Sequence, residues 1–98
     1  MVKVSQLFPN SMQEADLCFA LADPKRVDIV HALDKSPHSV NELTAELGIP
    51  QPMTSHHLKI LRERGLIQPT RKGISVTYSL TDPRLIQALE LLIDISKK

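Results

Sequence analysis

The stretch QPMTSHHLKILRER, Gln51–Arg64, closed by Gly65, decides how this chain is read. It crowds an amide, two hydroxyls and two imidazoles onto the first turns of a predicted helix, then changes to an apolar and basic repeat. Leu58 and Leu61 fall three apart on an inner face, with Leu66 just past the end. That leaves Gln51, Thr54, Ser55, His56 and His57 for an outer, N-terminal surface. A helix N-terminus carries free backbone N–H groups and the positive end of the helix dipole, so it suits a phosphate or the edge of a base pair. Just upstream, Val40–Leu47 ending at Gly48 predicts a short helix. Two helices joined by Gly48-Ile49-Pro50 make a helix-turn-helix.

The flanking segments extend this motif in both directions. Ser39-Val40-Asn41-Glu42 has capping-box spacing and starts the upstream helix. Before it, Asp23-Pro24 places an N-cap and a first-turn proline ahead of Val27, Ile29, Val30 and Leu33, an apolar face running to about Lys35. Ser11–Glu14 is a further capping-box pattern, opening a first helix through about Ala22. After Gly65, Leu66–Arg71 and Ser75–Leu80 predict two strands of a hairpin around Lys72-Gly73-Ile74. Asp82-Pro83 repeats the helix start, with Asp82 as N-cap. Leu85, Ile86, Leu89, Leu92 and Ile93 give the last helix a broad apolar face. The order ααααββα predicts a mainly α fold with a β-hairpin wing: a winged helix-turn-helix with a helix at each end.

Composition supports a single domain over residues 1–98. An apolar content of 42% in 98 residues supplies a modest core that a dimer interface would naturally supplement. The net charge of +1 hides a segregation. Residues 51–72 hold Lys59, Arg62, Arg64, Arg71 and Lys72 against Glu63, a net +4, while the remainder holds seven cations against ten carboxylates, a net −3. Phosphate attraction acts within a Debye length of roughly 8–10 Å, so this localisation matters more than the total. No apolar run approaches the ~20 residues of a membrane span. No charged segment followed by an apolar one opens the chain, so it is expected to be cytoplasmic with no membrane partner. The one cysteine, Cys18, makes no internal disulfide and no structural zinc site by itself.

The runs ALADPKRVDIVHAL, SVNELTAELGIPQPMTSHHLKILRERGLI and RKGISVTYSLTDP resemble the ArsR/SmtB family of bacterial transcriptional repressors, over about Leu17 to Leu92. The step Ser55-His56-His57-Leu58, followed by Leu61, Gly65 and Leu66, carries the likeness most specifically. The resemblance implies a homodimer through the first and last helices, with Leu17, Leu85, Leu89, Leu92 and Ile93 in the interface. It also implies double-stranded DNA as partner and repression relieved by an effector that the sequence does not identify. The family's DNA-reading positions fall on Gln51, Thr54, Ser55, His56 and His57. Lys59 and Arg62 follow on the same helix, and Arg71 and Lys72 provide wing contacts. A glutamine amide pairs bidentately with adenine, and hydroxyls serve a base edge or a phosphate. Adjacent histidines point about 100° apart on a helix; His56 is assigned to DNA, while His57 either packs or touches a phosphate. Pro50 and Pro52 depart from the family's usual hydroxyl residues, so this helix start is stiffened rather than capped by a side chain.

Neither metal site familiar from the family has its ligands here. Ser39-Val40-Asn41-Glu42 contains no cysteine where a pair is needed. Along the last helix Asp82 matches one ligand, but Arg84, Ile95 and Lys98 stand at the others, and none of these suits a divalent cation. No metal and no cofactor is expected. Cys18 reads as a small buried hydrophobe, the alternative being a reactive or cross-subunit thiol sensor. His31 and His38 read as a packed helix residue and a loop residue. Two rival functions remain: a winged helix that docks protein without specific DNA binding, and a small enzyme. The first would show exposed aromatics or methionines on its docking helix, where Met53 is the only such residue. The second lacks a nucleophile elbow, an HExxH pair or a phosphate-cradling glycine loop.

Overall fold

The computed structural model describes residues 7–97, so Lys98 lies outside the described residues. The helices are α1 (Ser11–Ala20), α2 (Pro24–Lys35), α3 (Val40–Leu47), α4 (Gln51–Glu63) and α5 (Arg84–Ser96). Between the last two lies a hairpin of β1 (Ile67–Lys72) and β2 (Ser75–Leu80), which gives the predicted order.

Local chemistry sets most boundaries. Asp23 accepts the Lys25 amide at 2.8 Å and Pro24 takes the first position of α2. Ser39 and Glu42 form the reciprocal capping box that starts α3. Gly48 ends α3 at φ +66°, a left-handed value that a side chain would strain, and so sets the tight link into α4. At the first helix the expectation is corrected. Asn10 is the N-cap with no side-chain bond, and Ser11 already lies inside α1. The last helix opens at Arg84 rather than directly after Asp82, yet Asp82 Oδ1 still accepts the Arg84 amide at 2.8 Å. This is the same Asx-type start that Asp23 gives α2.

The strands pair antiparallel from Ile67↔Leu80 to Lys72↔Ser75, leaving Gly73-Ile74 as a two-residue turn. Gly73 has φ +59° and Ile74 does not share a positive φ, the sign pattern of a type II′ turn. The loop before α3 adds a third rung. His38 N–H donates to Tyr78 O at 3.1 Å and Tyr78 N–H to His38 O at 2.7 Å, anchoring the wing's free edge to the helical body.

The core gathers Ile29, Val30, Ala32 and Leu33 of α2 with Leu43, Leu58, Leu61, Ile67 and Ala20. Thus α2 lies centrally, and the helix-turn-helix, the wing root and the end of α1 close around it. Val27 is only half-buried, and Arg26 takes the buried place on that face. His31, read as packed, is exposed. Leu43 is wholly enclosed, so Leu43→Ala should leave a cavity and cost about 2–5 kcal/mol. Urea unfolding checks this, with a fall in midpoint at constant slope as the expected result.

Candidate nucleic-acid interface

Helix α4 has two faces with different tasks. Residues 54, 57, 58 and 61 follow i, i+3, i+4, i+7 spacing, and all four are buried. Gln51, Pro52, Met53, Ser55, His56, Lys59, Arg62 and Glu63 are exposed. Gln51, Ser55, His56, Lys59 and Arg62 therefore stand where the sequence put them, on an accessible helix surface with Gln51 at its free N-terminus.

Two assignments are corrected. Thr54 has no exposed surface. Its hydroxyl receives a hydrogen bond from Thr44 Oγ1 at 2.9 Å and lies 3.4 Å from Pro50 O, tying α4 to α3. His57 is 6% exposed and faces Arg26. Neither side chain is available to a base or a phosphate. Both are polar groups in the interior that hold α4 in place.

Arg26 is the functional residue that the sequence reading missed. It is only 7% exposed. Its Nε donates to Ala20 O at 2.7 Å and its Nη2 to Phe19 O at 3.2 Å. These carbonyls end α1, where the helix dipole favours a cation. Its Nη1 lies 3.2 Å from His57 Nδ1. Arginine has only donors and stays protonated, so His57 must accept through an unprotonated Nδ1 and carry its hydrogen on Nε2. The Arg26 and Arg64 guanidinium groups each lie 5.5 Å from the Phe19 ring centroid. Helix α1 is thereby joined to the middle of α4 and to its C-terminal end. The missed signal was the spacing 26, 29, 30, 33, which puts Arg26 on the buried stripe of α2.

Arg71 and Lys72 are exposed at the wing end of β1, on a hairpin that carries no carboxylate. A groove lined by Ser55, Leu58, Lys59, Arg62, Glu63 and Tyr78 runs between α4 and the wing, with two cations against one carboxylate. Arg62 and Arg71 meet again beside Tyr78 in the adjoining depression. Together they form a basic, concave surface flanking an exposed helix.

The two terminal helices expose apolar side chains instead. Leu85 and Leu89 of α5 are half-buried against the chain's own core, but Leu92 and Ile93 are exposed along with Leu91 and Ile95. On α1, Leu17 is half-buried, whereas Leu7 and Phe8 before the helix and Met12 and Phe19 within it stand out. Cys18 is also exposed, contrary to its reading as a buried hydrophobe. The reason is local: among the residues of α1 only Ala20 is fully buried.

Residues 23–68 match the model of the bacterial regulatory proteins of the arsR family. The chain is 44% identical over 70 residues to the transcriptional repressor SmtB of Mycobacterium tuberculosis, a match covering 71% of this chain and 52% of that protein. It thus spans about half of that relative's length. It is 35% identical over 81 residues to the biofilm growth-associated repressor of Xylella fastidiosa, covering 83% of this chain and 71% of that one. The fold is that of a homodimeric winged helix-turn-helix DNA-binding domain from Mycobacterium bovis, with a TM-score of 0.81 over 95% of this chain and 88% of the other, at 22% identity.

The His57 contact has a pH consequence. Burial first, then the charges of Arg26 and His56, hold the imidazole below its ordinary 6.5, with only the Asp23 carboxylate opposing. The unfolded chain therefore binds the proton more readily, and stability rises with pH. This contribution is fully present above 6.5 and is lost as pH falls through the lowered value. Urea unfolding from neutral pH to pH 5 should show that loss. His57→Asn, which keeps an acceptor toward Arg26, should flatten it.

Proposed function

This chain belongs to the arsR family of bacterial regulatory proteins, and from that premise we propose that it is a sequence-specific DNA-binding repressor. It acts as a homodimer on an inverted-repeat operator. The observation that carries this reading is the exposed face of α4. Gln51, Ser55, His56, Lys59 and Arg62 stand outward on a helix whose opposite side is locked into the core. Such a helix enters a major groove with its first turns against base edges and its later cations near phosphates. Arg71 and Lys72 on the wing supply backbone contacts that position the protein without reading sequence.

The exposed apolar residues Met12 and Phe19 of α1 and Leu91, Leu92, Ile93 and Ile95 of α5 support the homodimer, because large apolar side chains gathered on the two terminal helices are what a partner surface would cover. Two copies related by a twofold axis would set their α4 helices about one DNA turn apart, roughly 34 Å. No helix among the described residues is long and apolar enough to cross a membrane. A DNA partner places the protein in the cytoplasm.

Footprinting on the chain's own upstream region supplies the operator for two tests. The double variant Ser55→Ala, His56→Ala should lose specific protection with an unchanged circular dichroism spectrum, at about 1–3 kcal/mol for each base contact removed. An unchanged footprint excludes these two as readers. Lys72→Ala should weaken binding to every sequence alike and reduce the salt slope by about 0.9. For the dimer, Leu92→Asp is the sharper probe, because Leu92 is 60% exposed and makes no buried core contact. Sedimentation should show a folded monomer; a dimer of unchanged affinity moves the interface elsewhere.

A further inference from the structure

The wing tip holds a residue that neither folding nor charge explains. Ile74 is 99% exposed, the most exposed of the large apolar side chains described. It occupies the second position of the two-residue turn, where the required left-handed conformation is already supplied by Gly73. Nothing in the turn geometry calls for a β-branched hydrophobe, and polar turn formers are the usual choice there. Its surroundings are cationic: Arg71 and Lys72 precede the turn, and the whole hairpin from Ile67 to Leu80 lacks a carboxylate. The tip also faces the same way as the start of α4. Ile74, Ser75 and Thr77 line one open groove with Gln51 at the helix N-terminus and Asn41 of α3. Glu42 borders that groove too, but its carboxylate is engaged with the Ser39 amide at 2.7 Å.

We propose that Ile74 is an apolar wedge that enters the DNA minor groove beside the major-groove site of α4, with Arg71 and Lys72 holding the flanking phosphates. This rests on the preceding reading that the partner is duplex DNA. Charge complementarity favours that occupant, since the wing carries Arg71 and Lys72 and no carboxylate, and two such tips would repel each other. Among apolar side chains, isoleucine is one of those that proteins press between base steps from the minor groove, unstacking them in exchange for closer wrapping. The contact reads deformability and groove width at pairs that α4 does not touch.

The test compares wild type with Ile74→Ala on duplexes carrying the footprinted operator. Affinity should fall about ten-fold, while the slope of log K against log salt stays unchanged, because an apolar contact releases no counterions. Flanking pairs under the wing are then made either guanine·cytosine or inosine·cytosine, which differ only by the minor-groove amino group. Wild type should prefer the inosine duplex, and Ile74→Ala should bind the two alike. Equal affinity of variant and wild type overturns the proposal. So does a loss that comes with a reduced salt slope, or a shift in sedimentation that makes the tip a protein contact. If wild type fails to bind any duplex, the DNA-binding reading falls as well; if it binds and only the Ile74 effects are missing, the wedge alone is excluded.

Discussion

One buried cation organises this fold. The Arg26 guanidinium is almost sealed from solvent, and its hydrogen bonds run to two carbonyls at the end of α1 and to a ring nitrogen of α4. A buried charge is tolerated only when hydrogen-bonded, so these acceptors must stay close together for the native state to persist. Because Arg26 sits on α2, the central helix, it fixes the elements that carry two exposed surfaces of the molecule: the apolar helix end and the outward polar row of α4. Phe19, with the Arg26 and Arg64 guanidiniums each 5.5 Å from its ring centroid, adds a second tie between the same two helices.

That constraint explains why α4 can present an exposed row without being loose. Its inner stripe mixes Leu58 and Leu61 with two polar residues, each satisfied inside: Thr54 through Thr44 and His57 through Arg26. A purely apolar stripe would bury the helix equally well but would leave its rotation and depth less defined. Directional hydrogen bonds fix both. The wing is held by similar means, through the paired His38 and Tyr78 backbones and the Thr81 hydroxyl, which donates to Gly65 O at 2.7 Å where α4 leads into β1.

The helices at the two ends of the chain show the reverse situation. Among the described residues of α5 none is fully buried, although Leu85, Ile86 and Leu89 lean on the core. The core itself is small, as expected for a chain of this size. An apolar surface left over on α1 and α5 fits the homodimer proposed above, and its exposure separates two kinds of leucine that look alike in the sequence. Leu85 and Leu89 belong to the protomer, whereas Leu92 and Ile93 stand free of it.

Element order, the caps at Asp23 and Ser39, the glycine stops, the hairpin and the family were all legible in the chain's residues. All of these rest on local chemistry: a side-chain oxygen three residues from an amide, a left-handed glycine, an alternation of two or of three to four. The sequence also placed Gln51, Ser55, His56, Lys59, Arg62, Arg71 and Lys72 at exposed positions, since basic and polar residues off an apolar stripe have no reason to be inside. Where the reading failed, polarity had been trusted over phase. Thr54 falls on the buried stripe of α4 by spacing, yet its hydroxyl suggested an outer face; His57, open between packing and a phosphate, packs, and Arg26 on the stripe of α2 was passed over. Packing of the whole chain places them inside, because burying a polar group depends on a partner far along the chain, and the partner of His57 is 31 residues away. Cys18 failed for the opposite reason. It is apolar enough to be buried, but α1 offers the core little more than Ala20, and whether a helix face is covered is a property of the assembled molecule.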